Sequence, residues 1–151
     1  MRRLGLATVT PLAAVIAAAA LADLTPWKDY EISEAVWEVT TVKVGSNMGD
    51  AYLEGIRNTW AAGNDVAISL GHIVDYKIMR SELPESGDFN LLLMIKYRDT
   101  EALAPSKKKY DEFMQAWGEE RNRETTEFAQ RNYPAMRTLT GQYRMREITL
   151  K

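Results

Sequence analysis

Phe89–Tyr97, FNLLLMIKY, is the stretch whose reading decides the fold. In an extended chain successive side chains point to opposite faces, so Leu91, Leu93 and Ile95 share one face and Leu92 and Met94 the other. A strand that is apolar on both faces needs cover on both faces. This makes it the central strand of a sheet, and it sets the question of what lies above and below.

Reading outward, Ile73–Arg80 (IVDYKIMR) is a second strand, joined to the first stretch through Leu83–Asp88 (LPESGD), a turn with Pro and Gly. So short a connection makes the pair antiparallel. Upstream, Ala35–Val44 (AVWEVTTVKV) is rich in β-branched residues and reads as the first strand. Between them a helix spans Met48–Leu70, with Leu53, Ile56, Trp60, Ala67 and Leu70 at three-to-four spacing and Gly63 filling the gap. Ser46 or Asn47 is its expected N-cap, Asp50 suits the positive end of its dipole, and Gly71 is its stop. The Gly63–Asn64 pair is a weak spot in mid-helix, costing about 1 kcal/mol relative to Ala.

Downstream, Asp99–Thr100 closes the central strand and Thr100 caps a short turn through Leu103. Pro105 and Ser106 restart a helix with Tyr110, Phe113, Met114 and Trp117 on one face. It continues through the charged run Glu119–Glu127 to Phe128. Pro134 interrupts it, Ala135–Leu139 adds a turn, and Gly141 stops it. Gln142–Leu150 is the last strand.

The order strand, helix, strand, strand, helix, strand gives an α+β fold, the ferredoxin-like βαββαβ arrangement. A four-stranded antiparallel sheet carries two helices on one face. Right-handed crossovers put the first and third strands in the centre. Two helices cover one face only. The other face carries apolar residues from both central strands, and soluble monomers avoid a contiguous patch of that kind. A second copy packed face to face is the economical cover, so a homodimer is expected.

The N-terminal segment stands apart. Arg2 and Arg3 precede a short apolar core, Leu12–Leu21, and Ala20-Leu21-Ala22 offers small residues at a cleavage site. This is the three-part pattern of a signal peptide over 1–22, with cleavage before Asp23. Residues 23–34 are then an extended leader and 35–151 the folded domain. The expected address is the bacterial periplasm or the medium. The apolar run is too short for a stable membrane span, and no Cys follows it to carry a lipid. Losing Arg2 and Arg3 leaves 17 basic residues against 21 acidic ones, a net charge of −4. Such a domain does not hold nucleic acid by charge. The chain has no cysteine, which excludes disulfides, thiolate metal sites and a Cys nucleophile.

Candidate functional residues follow from chemistry type. His72, the one histidine, sits at the entry to the second strand, where it serves either as a general base or haem ligand, or simply meets the negative end of the first helix. One His and no Cys do not make a zinc site. Asp75 and Lys77 share one face of their strand; Asp75 in an apolar pocket is a candidate base, and on an edge strand it sees water. Tyr76 and Tyr97 mark a pocket, because their hydroxyls need partners if buried. Trp37 is a third pocket-lining candidate, whereas Trp60 and Trp117 fall on helix stripes that form core. Catalytic candidates are thus His72, Asp75 and Tyr76, and ligand-binding candidates Trp37, Tyr76 and Tyr97. No metal site or cofactor is implied. The runs Lys107-Lys108-Lys109 and Glu119–Glu124 read as solvated faces. Nucleotide loops, GxSxG elbows, HExxH and EF-hand motifs are absent from the sequence.

Over its whole length after the expected signal peptide, the chain resembles the dimeric α/β-barrel proteins, the group that includes antibiotic-biosynthesis-type monooxygenases, EthD-like proteins and stress-responsive barrel proteins. The resemblance is carried by VWEVTTVKV, GDAYLEGIRNTW, GHIVDYKIM, FNLLLMIKYRD and YDEFMQAWG. It implies the fold and the homodimer, and it chooses no reaction, since the group spans enzymes, haem-binding proteins and proteins without known activity. The long charged extension after Trp117 departs from the compact helix usual in the group. Two readings follow. One is an exported homodimeric barrel that binds a small, largely apolar organic molecule between sheet and helices. The other is a non-catalytic periplasmic interaction or stress-response protein.

Overall fold

A computed structural model describes residues 23–83 and 87–151. The expected signal segment, 1–22, and the centre of the LPESGD turn lie outside the described residues.

Strand β1 (Tyr30–Ile32) and strand β2 (Val36–Val44) are followed by helix α1 (Gly49–Ile56), a π-helical turn (Arg57–Ala61) and helix α2 (Ala62–Ser69). Strands β3 (Asp75–Arg80) and β4 (Leu91–Tyr97) come next, then a 3-10 turn (Glu101–Leu103), helices α3 (Lys107–Trp117) and α4 (Glu119–Met136), and strands β5 (Arg137–Met145) and β6 (Ile148–Leu150). Four strands form one antiparallel sheet in the order β3-β4-β2-β5. The first and third strands of the expected series, β2 and β4, are central, and β3 and β5 are edges. The fold is ferredoxin-like.

The register sorts the two faces. Val42 pairs with Leu91 and Thr40 with Leu93, so these share a face. That face is the covered one: Val42, Val44, Leu91 and Leu93 pack with Tyr52 and Ile56 of α1 and Tyr133 of α4. Burying such a residue contributes about 1.5–3 kcal/mol each, which is what holds the helices to the sheet.

Several boundaries differ from expectation, each for a local reason. The first helix is not uniform: it widens into the π-helical turn at Arg57–Ala61 and passes through Gly63–Asn64 without a break. Asn64 is buried there and donates its amide to the Trp60 carbonyl at 2.8 Å. Neither Ser46 nor Asn47 caps this helix; the cap is Met48 without a side-chain bond, and Asn47 takes a left-handed φ of 62° in the preceding turn. The second helix splits at Gly118, whose φ of 89° only Gly adopts easily. The helix restarts after Pro105 as expected, and Ser106 caps α3 by accepting from the Lys109 N–H. Pro134 does not interrupt α4, which runs on to Met136. The last strand begins five residues early, at Arg137, so Gly141 is a strand residue and not a helix stop. Beside it the register with β2 shifts: Thr41 faces Gly141 and Val42 faces Leu139. Thr140 is the extra residue of a β-bulge, and its hydroxyl bonds that of Thr41 at 2.8 Å. The leader is not merely extended, since its β1 pairs antiparallel with β6 in a separate two-stranded sheet. Arg146 locks this corner by donating to the carbonyl oxygens of Ser33 (2.7 Å) and Glu34 (2.6 Å).

Candidate functional site

The sheet face turned away from the helices carries three rows of side chains across four strands. Asp75, Lys96, Trp37 and Met145 form the first, Lys77, Met94, Val39 and Tyr143 the second, and Met79, Leu92, Thr41 and Gly141 the third. The centre is apolar and the charges sit at one end. Trp37 and Val39 are buried by their own neighbours, whereas Met79, Tyr143 and Met145 are each more than half exposed. No helix among the described residues lies over this face. At its charged end the ammonium groups of Lys77 and Lys96 stand 5.1 and 5.2 Å from the Trp37 ring centroid. The indole N–H donates to Glu147 at 2.9 Å. Cation–π attraction and the carboxylate together hold Trp37 in one orientation.

The residues expected to form a pocket are divided between the two faces. Trp37 and Asp75 are on the open face. Tyr76 and Tyr97 are on the helix side, since neighbours in a strand alternate. Tyr76 packs edge-on against Trp60, with centroids 5.3 Å apart, and donates its hydroxyl to Asp65 at 2.9 Å. Burial, and then the Asp65 carboxylate, push its phenol pKa up. Tyr97 is likewise pushed up by burial and by Glu38, which also pairs with Arg144 at 3.2 Å. His72 places Nε2 3.1 Å from Glu112 Oε2 on α3, tying the entry of β3 to that helix. Asp75 accepts from the N–H of Tyr76 at 2.8 Å. His72, Asp75 and Tyr76 therefore do not converge on one point. The triple lysine is engaged on its own surface: Lys107 with Asp111, Lys108 with Glu112 at 3.7 Å, and Lys109 with the Ala102 carbonyl at 3.0 Å.

A second polar centre, absent from the sequence reading, lies between the sheet and helices α1 and α4. Tyr52 is fully buried and meets Tyr133 edge-on, with centroids 5.4 Å apart. Gly55 lets Tyr133 approach, since a Cβ there would stand 3.1 Å from its ring. Thr59, inside the π-helical turn, donates to the Gly55 carbonyl at 3.0 Å and so accepts from the Tyr133 hydroxyl. Arg137, first residue of β5, sets its guanidinium 5.6 Å from the Tyr52 centroid and 5.1 Å from that of Tyr133. Two polar atoms of this centre, the Tyr52 hydroxyl and Arg137 Nε, are buried without a hydrogen-bond partner. Each such group costs about 1–3 kcal/mol, so the pair is an expensive feature of an otherwise apolar core. Burial pushes the Tyr52 phenol up to about 12, with the Arg137 charge opposing. The sequence signal that marks Tyr52 is its i, i+4 relation to Ile56, which puts both on the deepest helix stripe. Arg137 carried none, because it fell in a stretch assigned to a helix.

A groove of about 740 Å³ at the end of the sheet is lined by residues including Lys43, Asn47, Asp50 and Arg80. A smaller one of about 200 Å³ lies along β2 and β5 at Glu38, Thr40 and Arg144. Neither is lined by Trp37, His72, Asp75, Tyr76 or Tyr97. Among the described residues no group of three or more His, Cys, Asp or Glu is placed to hold a metal ion. No helix among them is long and apolar enough to cross a membrane.

No family model matches the sequence, and no curated protein matches it. Among solved structures it is similar to HapK from Hahella chejuensis, at TM-score 0.45 and 14% identity, covering 74% of this chain and 91% of that one. It is similar to protein SO0527 from Shewanella oneidensis, at TM-score 0.43 and 12% identity, covering 80% and 99%. A third is a dimeric protein of unknown function and ferredoxin-like fold from Bacteroides fragilis, at TM-score 0.42 and 9% identity, covering 80% and 100%.

Proposed function

We propose that the protein is an exported, homodimeric binding module whose two copies pack through their open sheet faces. The observation that carries the assembly is the three-row face itself. Its centre, Val39, Leu92 and Met94 flanked by Met79, Tyr143 and Met145, has no cover among the described residues. An apolar centre with a polar rim is the anatomy of an interface. The occupant is a second copy: the charged end carries both signs, Lys77 and Lys96 beside Asp75 and Glu147, so a like surface meets it without an excess of one charge. Export rests on the composition of residues 1–22.

The reading as a small-molecule-binding barrel with His72, Asp75 and Tyr76 as catalytic groups draws less support, because these side chains point to separate partners. No reaction is assigned.

Native mass spectrometry and light scattering test the assembly. At about 10 μM the wild type is expected at twice the subunit mass. Tyr143→Glu, which puts a charge in the middle row at a side chain more than half exposed, is expected at the subunit mass with its circular dichroism retained. A monomeric wild type, or a Tyr143→Glu variant that stays dimeric, overturns the assembly. N-terminal sequencing of the protein recovered from its native host tests export, with Asp23 the expected first residue; an uncleaved N-terminus overturns it.

A further inference from the structure

Gly141 stands in the interior of β5, an edge strand, where glycine weakens the strand and needs a local reason. Its own backbone supplies none: the described glycines with left-handed φ are Gly71, Gly87 and Gly118. The reason is a side chain. A Cβ on Gly141 would stand 2.7 Å from the Tyr143 hydroxyl oxygen and 2.8 Å from Cε2 of its ring. Residues two apart in a strand share a face, and both of these belong to the rows of the open face. Tyr143 therefore lies down along β5, in the space that a side chain at 141 would take. In that position it is still more than half exposed. The strand beneath it is tied to β2, because the Thr41 hydroxyl meets the Thr140 hydroxyl at 2.8 Å and the Gly141 carbonyl at 3.3 Å. When a methyl group is added at 141, it is the free end of the ring that yields, and the strand stays.

The height of that ring matters to whatever packs on the face. Two sheets packed face to face lie about 10 Å apart, with their side chains interdigitated. A tyrosine lying flat fits within that spacing, and an upright one at the same place props the sheets apart. The flat ring is continuous with the apolar centre, since Tyr143 shares its row with Val39 and Met94, and the next row, Met79, Leu92, Thr41 and Gly141, carries no charge. Resting on the face-to-face assembly proposed above, we propose that Gly141 is a positioning residue for that assembly. It seats Tyr143 flat, and so makes the uncharged end of β5 an aromatic shelf on which the second copy packs. Within one subunit the shelf does little, because a ring that is mostly exposed loses little by swinging outward. Gly141 thus separates the two levels: it serves the contact between copies and not the fold of either.

Sedimentation velocity over a dilution series gives the dimer dissociation constant for wild type, Gly141→Ala, Tyr143→Ala and the double variant. Gly141→Ala is expected to keep its far-ultraviolet dichroism and to dimerise about tenfold or more weakly, the effect of overpacking a fitted surface. Tyr143→Ala has no ring to displace, so adding Gly141→Ala to it is expected to change the constant by no more than about twofold. A dimeric wild type whose constant is unmoved by Gly141→Ala overturns this inference and leaves the assembly standing. An equal loss in both backgrounds also overturns it, because Gly141 would then act through the strand and not through Tyr143. A monomeric wild type overturns the assembly, and the role of Gly141 with it.

Discussion

Trp37 on β2 donates its indole N–H to Glu147, which follows β5, at 2.9 Å across 110 positions of sequence. The bond joins the central strand of the sheet to the corner where β5 gives way to β6. Glu147 is itself more than half exposed, so water reaches the N–H when the carboxylate is removed. Glu147→Ala is therefore expected to lower stability by about 0.5–1.5 kcal/mol, the net worth of one hydrogen bond. Glu147→Gln keeps an acceptor oxygen and should recover most of it. Urea melts of the three proteins decide this, and indistinguishable midpoints would contradict it.

Tyr52 gives the molecule an alkaline limit. Its phenol is neutral in the folded state up to about 12, against an ordinary value of 10.0. The stabilisation is fully present below pH 10, where both states hold the proton. It is lost as pH rises from 10 through 12, because the unfolded chain releases the proton first. Two pKa units correspond to at most about 3 kcal/mol. Denaturant melts between pH 8 and 11.5 should show wild type losing stability at the alkaline end more steeply than Tyr52→Phe. Parallel profiles would show that Tyr52 does not titrate in this way.

Gly55 is fixed by its neighbours and not by its backbone. A Cβ there would stand 3.1 Å from both Phe128 Cε1 and Tyr133 Cε1. Phe128 is partly exposed and can yield, but Tyr133 is buried and bonded to Thr59. Ala gains about 1 kcal/mol in helix propensity, and overpacking costs about 1–3 kcal/mol. Gly55→Ala is expected to destabilise by a net kilocalorie or so, with a change in near-ultraviolet dichroism from the displaced ring. A rise in Tm would mean that α4 retreats freely.

Methionines mark the open face. Met79 and Met145 are each 55% exposed, and Met94 lies between them in the middle row. Oxidation to the sulfoxide turns an apolar side chain polar. Peroxide treatment is expected to shift the assembled protein towards the subunit mass while far-ultraviolet dichroism is kept. A fully oxidised protein still at twice the subunit mass would remove this face from the interface.

Much of the sheet was legible because its signals are local. The alternation in AVWEVTTVKV and FNLLLMIKY separated the two faces within each strand, and the register then joined Val42 and Val44 to Leu91 and Leu93, and Trp37 and Val39 to Leu92 and Met94. The order of elements then led to the central position of β2 and β4. The C-terminal third was misread for the same local reason. Pro134 and Gly141 look like a helix breaker and a helix stop, yet α4 absorbs the first near its end and β5 takes the second beside a bulge. The candidate residues were chosen by chemical type, and type says nothing about convergence. Asp75 and Tyr76 are sequence neighbours, so one pleat separates them onto opposite faces.

The sequence by itself determined the α+β class, the two faces of the central strands and the excess of apolar surface, because these follow from side-chain periodicity along a short stretch. Only the tertiary structure decided that β1 pairs with β6, that Glu147 holds Trp37, and that Tyr52 and Arg137 share one buried centre. Those contacts join residues between 85 and 120 positions apart. No periodicity in a local window encodes them, and they arise when the helices close over the sheet and its edges find their partners.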